Sequence, residues 1–196
     1  MRLGLWVGIC VLALCTGCSF WGAGEDTFDG YSALPDSCTL ISPENIKKYI
    51  GSDASPVASD PPEVQPGDAQ SQCDWRYDSR SNGLSIGTRI FASENGGVAQ
   101  AKALFLERRE SFCQDSRCRD ISALGSAAFV EGDALGAGSP EPGEVLHFLV
   151  RDKNIILVIT YTKSVSSAKK YGSGNLELDG LAVAREAVRR IQASGQ

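Results

Sequence analysis

The chain is poor in the residues that most enzymes use. Its 196 residues contain one histidine, His147, and one methionine, the first residue. A lone imidazole disfavours a catalytic zinc site and leaves His147 as the only base for a Ser-His-Asp arrangement. No G-x-S-x-G elbow precedes a helix, so the usual nucleophile setting is missing too. After Leu14 there is no run of about 18 apolar residues, which excludes a membrane-spanning helix beyond that point. Basic charge is scarce, with 19 Lys and Arg against 24 Asp and Glu. There is no basic stripe, which argues against a nucleic-acid partner, and no polybasic patch for anionic lipid heads. No strong repeat is visible, and no C-x-x-C occurs after Cys18.

What is present begins at the amino terminus. Arg2 supplies a positive start, and Leu3 to Leu14 run almost without polarity. Thr16 and Gly17 are small, and Cys18 follows at once. The apolar core is shorter than the ~20 residues that span hydrocarbon. A short charge, a short apolar core and then small residues is the pattern of a secretory signal. Leu14-Cys15-Thr16-Gly17-Cys18 resembles the bacterial lipoprotein signal. In such proteins the cysteine sulfur takes a diacylglyceryl group, and cleavage frees its amine for further acylation with chains such as palmitate. Cys15 stands where Leu is usual, with Leu14 one place further back. An ordinary signal cleaved nearby, leaving Cys18 free, is the alternative.

Seven cysteines are present, at 10, 15, 18, 38, 73, 113 and 118. Cleavage before Cys18 removes two and leaves five, an odd number for an exported protein. If Cys18 carries lipid, four remain and form two bridges. Export favours disulfides over metal ligation. Of the three pairings that four cysteines permit, Cys38–Cys73 and Cys113–Cys118 are favoured. Cys113 and Cys118 lie close together past a helix end, and a Cys38–Cys73 bridge pins the first helix to the first strand. Cys113-x₄-Cys118 reaches the limit of zinc spacing, but Cys38 and Cys73 are isolated.

The sequence thus divides into a lipoprotein signal peptide (residues 1–17), a lipidated cysteine with a flexible tether (18–36) and a single disulfide-stapled domain (37–196). Without the signal, 18 basic residues face 24 acidic ones, a net charge of −6. The tether is rich in Gly, Asp, Glu and Ser, and Trp21, Phe28 and Tyr31 punctuate it. Those aromatics could rest on the membrane or on the domain.

Within the domain, Ser42-Pro43-Glu44 opens a first helix with a capping serine, a proline suited to the first position and an acid at the positive end of the dipole. Gly51 is its stop. Residues 52–72, with four prolines and several acids, read as a long exposed loop. Cys73 to Tyr77 alternates as a strand with Cys73, Trp75 and Tyr77 inward. Asn82-Gly83 turns into a second strand through Leu84, Ile86, Thr88 and Ile90. A helix spans 97–112 with the stripe Val98, Ala101, Leu104, Phe105 and Phe112. Residues 126–131 form a short strand, and 132–144 a Gly-rich, acidic loop. Val145–Val150 and Ile155–Thr162 are the strongest strand signals, joined by a turn at 151–154. The second of them, apolar on both faces, is expected at the centre of the sheet and covered on both sides. A final helix covers about 177–193 with the stripe Leu178, Leu181, Ala184, Val188 and Ile191. The expected fold class is α+β: an antiparallel sheet of about five strands with three packed helices, in the order α-β-β-α-β-β-β-α.

Three pieces of sequence carry a resemblance: Cys38-Thr39-Leu40-Ile41-Ser42-Pro43-Glu44, ending in Tyr49-Ile50-Gly51; Cys73-Asp74-Trp75; and Ala123-Leu124-Gly125-Ser126-Ala127-Ala128. Together they resemble a family of actinobacterial surface lipoproteins that is known as a domain of unknown function. Its members pair a Cys-x-Leu before a short helix with a Cys-x-Trp opening a strand. The resemblance covers roughly residues 36–193 and implies an exported, lipid-anchored α+β domain. It supplies no catalytic residues. Ser126 stands where the family usually has Asp.

A search for chemistry finds little. His147 lies in a strand, where a lone histidine is more often structural or merely exposed. The stretch from Gly132 to Gly138 lacks the Lys-Ser/Thr and the strand-to-helix setting of a phosphate loop. Glu141 and Glu144 read as hydrated loop acids, and the acids of residues 53–68 show no calcium-loop spacing. Trp75 and Tyr77 read as core rather than as pocket lining. Lys163, Lys169 and Lys170, near Tyr161 and Tyr171, read as a solvated basic loop.

The expectation is therefore no enzyme, no catalytic residue, no metal and no cofactor. The protein reads as a lipoprotein on the extracytoplasmic face of the cell membrane, held through the lipid on Cys18. Its domain is a ligand-binding or sensor module of the cell envelope, acting on an envelope ligand or protein partner that the sequence does not identify. The alternatives are an interaction or signalling accessory of a membrane partner, or an envelope hydrolase with an unfamiliar site.

Overall fold

A computed structural model describes residues 30–58, 64–65, 68–76, 83–91, 96–114, 118–134, 143–164 and 175–194. Three helices, α1 (Pro43–Tyr49), α2 (Gly97–Phe112) and α3 (Leu176–Ser194), pack on one antiparallel sheet. The strands are β1 (Ser55–Ala58), β2 (Val64–Gln65), β3 (Asp68–Arg76), β4 (Gly83–Phe91), β5 (Cys118–Asp120), β6 (Ala127–Ala134), β7 (Gly143–Asp152) and β8 (Ile155–Ser164). Seven of them run side by side in the order β1-β3-β4-β8-β7-β6-β5, and β2 pairs with the outer edge of β3.

The fold is thus α+β, but the sheet has seven strands along its path rather than five, and the element order differs from the one expected. The expected loop over 52–72 contains β1, β2 and the start of β3. These segments lie at the sheet margin and show no alternation; Ser55, Pro56 and Gln70 are exposed there. Pro56 is tolerated there, since an edge strand need not donate on both sides. β5 was hidden by its length of three residues and its charged side chains. The expected loop over 132–144 is shortened at both ends by β6 and β7. Tyr77, Asn82 and residues 135–142 lie outside the described residues.

One face of the sheet carries the main core. The inward residues of β3, β4, β7 and β8, among them Trp75, Ile86, Phe148, Leu157 and Ile159, bury against α1 and α3. Helix α1 starts as its sequence predicts, with Ser42 accepting a hydrogen bond from the Asn45 N–H and Pro43 at the first position. In α3 the buried stripe is Leu176, Val183, Ala184, Ala187, Val188 and Ile191. Leu178 is 57% exposed rather than inward. At 100° per residue it lies on the opposite side of the helix from Leu176.

Gly180 lets α3 approach the sheet. A Cβ added there would stand 2.6 Å from the Phe148 ring and 3.3 Å from Tyr161. Gly180→Ala is expected to cost about 1–3 kcal/mol through overpacking, measured by urea unfolding, although alanine is the better helix former. A gain in stability would show that the helix can shift freely.

The opposite face is only partly covered. Helix α2 lays Ala101 and Phe105 on Phe91, Phe129, Leu149 and Ile156, with the Phe105 and Phe129 rings edge to face at 5.6 Å. Val98, expected in this stripe, is exposed. β8 is central as predicted, but Val158 on this face is 38% exposed, so the strand is not covered on both sides along its length.

Two disulfides staple the domain. Cys38–Cys73 joins a short 3-10 turn (Ser37–Thr39) to β3, and Cys113–Cys118 joins the end of α2 to β5; the Cα atoms are 5.1 and 5.2 Å apart. Within the segment expected as a tether, Tyr31 is docked on the domain, one of the two places the sequence left open for its aromatics. Tyr31 is buried; its N–H donates to Asn154 Oδ1 at 2.7 Å, and its hydroxyl donates to Asp152 Oδ2 at 2.7 Å. Asn154 Nδ2 donates in turn to the carbonyls of Tyr31 and Phe91. Trp21, Phe28 and Cys18 lie outside the described residues.

Candidate functional site

Among the described residues, the part of the sheet that α2 leaves uncovered is the surface best placed to meet a ligand. Register brings one residue from each of five adjacent strands into a single rung: Asp74 on β3, Ser85 on β4, Thr160 on β8, His147 on β7 and Glu131 on β6. Side chains alternate across a strand, so all five point to the face that α2 only partly covers. At about 4.8 Å between strands the rung is about 19 Å long. All five side chains are half-buried.

Hydrogen bonds link the rung only loosely. Gln72 Nε2, one rung closer to α2, stands 3.4 Å from both carboxylate oxygens of Asp74 and from Ser85 Oγ. These contacts exceed the usual N–H···O range of 2.7–3.2 Å, so the groups keep most of their bonding capacity. His147 Nδ1 and Thr160 Oγ1 are 3.1 Å apart. The Phe112 ring, at the end of α2, is 6.0 Å from the imidazole and bounds the surface on that side. Beside Gln72 and Val158 the floor is Gly87, where an added Cβ would meet nothing within 4 Å. Glycine at mid-strand costs about 0.5–1 kcal/mol relative to alanine.

His147 is the only residue of this rung that the sequence marked as a candidate. Asp74, Ser85, Thr160 and Glu131 gave no signal, because a rung is assembled by pairing between distant segments. Trp75 is buried in the core beside Cys73 rather than lining a pocket. Lys163, read as part of a solvated loop, is buried against Asp179 at 3.3 Å, with both side chains 3% exposed. The Tyr161 hydroxyl donates to the Tyr49 carbonyl nearby. Burial first, and then the Asp179 and Tyr49 charges, push its pKa above the ordinary tyrosine value. Lys169, Lys170, Tyr171 and Glu141 lie outside the described residues. Glu144 is exposed on β7, and Asp68 pairs with Arg89. Among the described residues, no group of three or more His, Cys, Asp or Glu side chains could hold a metal ion.

A second polar cluster has a structural role. Glu186 on α3 accepts from the Ser42 N–H at 2.9 Å, from Asn45 Nδ2 at 2.6 Å and from Arg190 Nε at 3.1 Å. Burial alone would raise its pKa. The bonds from Asn45 and Ser42 and the Arg190 charge outweigh burial and hold the carboxyl below the ordinary glutamate value. A depressed folded-state pKa adds stability that is complete above the unfolded value and is lost as pH falls through the folded one. Glu186→Gln is therefore expected to destabilise at neutral pH by about 1–3 kcal/mol. Its difference from the native protein should shrink below about pH 4.3. Urea unfolding at pH 7 and pH 3 checks this, and a difference that stays constant would refute it.

Compared with protein families, curated proteins and solved structures, the chain finds no match. The motif residues that carry the family resemblance serve the fold. Cys38 and Cys73 are bridged, Ser42 and Pro43 start α1, and Trp75 and Leu124 are core. Gly125 has φ +60° and lies against β7, where an added Cβ would be 2.7 Å from the Arg151 carbonyl oxygen. Ser126 Oγ donates to Asp152 Oδ1 at 3.0 Å.

Proposed function

We propose that the protein is an extracytoplasmic lipoprotein, anchored through acylated Cys18, whose oxidised domain binds an envelope ligand without carrying out chemistry. One observation carries the anchoring half of this reading. The four cysteines after Cys18 are consumed by two bridges, so Cys18 is the one cysteine of a cleaved chain left without a disulfide partner. Acylation uses that sulfur. Two or more acyl chains then give stable anchoring, whereas one gives only marginal binding. Among the described residues no helix is long and apolar enough to cross a membrane.

The binding half is supported by the open rung. His147, Thr160 and Glu131 bring an imidazole, a hydroxyl and a carboxylate to one face, but the strands that carry them are interior. Their backbone N–H groups are engaged in ladders on both sides, which leaves no preorganised donors for an oxyanion there. The surface is suited to holding a ligand rather than to acyl transfer.

Mass spectrometry of protein extracted from its native membrane tests this reading. The expected species begins at Cys18, carries a diacylglyceryl group and an amide-linked acyl chain, and contains both bridges. Cys18→Ala should abolish acylation and release the protein from the membrane. A membrane-bound Cys18→Ala protein, or a native chain with an intact leader and free thiols, would overturn it.

A further inference from the structure

The observation carried furthest is the glycine at the floor of the open face. A glycine inside a strand commonly marks a bulge or a close approach by backbone or ligand. Gly87 pairs regularly on both sides, with Gln72 and with Val158, so there is no bulge. It has no left-handed φ, and no atom lies within 4 Å of the position a Cβ would take. Neither strain nor packing requires glycine there. Its absent side chain leaves a shallow trough flanked by Gln72 and Val158 on the neighbouring strands and by Ser85 and Arg89 on its own, with Asp74 and Thr160 one rung away.

The chemistry of that trough selects its occupant. The rung holds two carboxylates, Asp74 and Glu131, and no lysine or arginine; on the same face Arg89 is paired with Asp68 and Arg76 stands next to Asp74, so the patch is of mixed charge and offers phosphates, nucleic acids and acidic peptides no concentrated positive field. Apart from Val158 and Arg89, whose guanidinium is paired with Asp68, the rim near Gly87 is hydroxyl, amide and carboxylate, which is too polar for an acyl chain. The loosely bonded groups Gln72, Asp74 and Ser85 can donate and accept at once, as vicinal hydroxyls also do. The flat patch of Gly87 and Val158 can take the C–H face of a ring. We infer that this trough binds a neutral polyhydroxylated ligand, an oligosaccharide segment lying along the rung from Asp74 towards His147. The inference rests on the reading of the domain as a binding module and names the class of its ligand.

The test uses isotope-labelled full-length protein in detergent micelles. Amide shifts are followed while chitotetraose, maltotetraose, mannotetraose, palmitate or a neutral pentapeptide is added. At least one tetrasaccharide is expected to move Ser85, Gly87 and Thr160 saturably. Gly87→Trp, which fills the trough, should weaken that binding more than about tenfold, and Asp74→Ala roughly tenfold. Should Gly87→Trp fail to fold, Asp74→Ala carries the test. Native affinity in a folded variant overturns the inference. If only palmitate or the peptide moves these amides, the sugar assignment fails and the binding module survives. If no probe moves them, both fail.

Discussion

Replacing Cys38 and Cys73 together by alanine is expected to lower the unfolding free energy by about 4 kcal/mol, against about 2 kcal/mol for Cys113 and Cys118. The ratio follows from loop size. The first bridge closes a separation of 35 residues and the second a separation of 5. Chain entropy removed from the unfolded state grows with the logarithm of the loop. Cys73 is also 0% exposed, so its loss leaves space in the core. For a domain of this size the larger loss corresponds to a fall of about 8–16 °C in Tm. Urea unfolding of the two double variants under identical conditions decides the matter. Equal losses, or a loss below about 1 kcal/mol for the long bridge, would show that the unfolded chain is already compact around these positions.

Asn154→Ala is expected to cost about 3 kcal/mol and to free the segment before the 3-10 turn. The side chain is 0% exposed and satisfies three backbone groups: the N–H and C=O of Tyr31 and the C=O of Phe91. Stranding a buried polar group costs about 1–3 kcal/mol. The Tyr31 groups can recover water by detaching, whereas the Phe91 carbonyl is fixed in the sheet. Tyr31→Phe removes the hydroxyl that donates to Asp152 and should cost about 1 kcal/mol. Hydrogen exchange at the Tyr31 amide separates the two variants. It should become fast in Asn154→Ala and remain protected in Tyr31→Phe. Continued protection in Asn154→Ala would mean that other contacts hold the segment.

The parts of the fold that could be read from the sequence are those with local causes. Ser42-Pro43-Glu44 sets the start of α1 through its own side chains, and the β7–β8 hairpin announces itself by two apolar runs around a short polar turn. The margins could not be read in the same way. β1, β2 and β5 are strands because a neighbour offers hydrogen bonds, and their own sequences show no period. Tyr31 gave no hint of docking, since one aromatic in a polar segment has no pattern; its partners are 121 and 123 residues away. The candidate site was the least legible. Its residues become neighbours only through register, and Gly87 becomes informative only when the space above it is seen.

The sheet margins have a consequence for how copies of the domain behave when crowded. On one side β3 is closed off in pieces: by β1 with its Pro56, by β2, and at Ser71 by two hydrogen bonds from Ser37. On the other, β5 is three residues long, tied down through Cys118, and exposes Arg119 and Asp120. Among the described residues neither border offers a straight run of free amides, so a crowded neighbour finds no template to extend, and copies can pack side by side without zipping into a continuous ribbon.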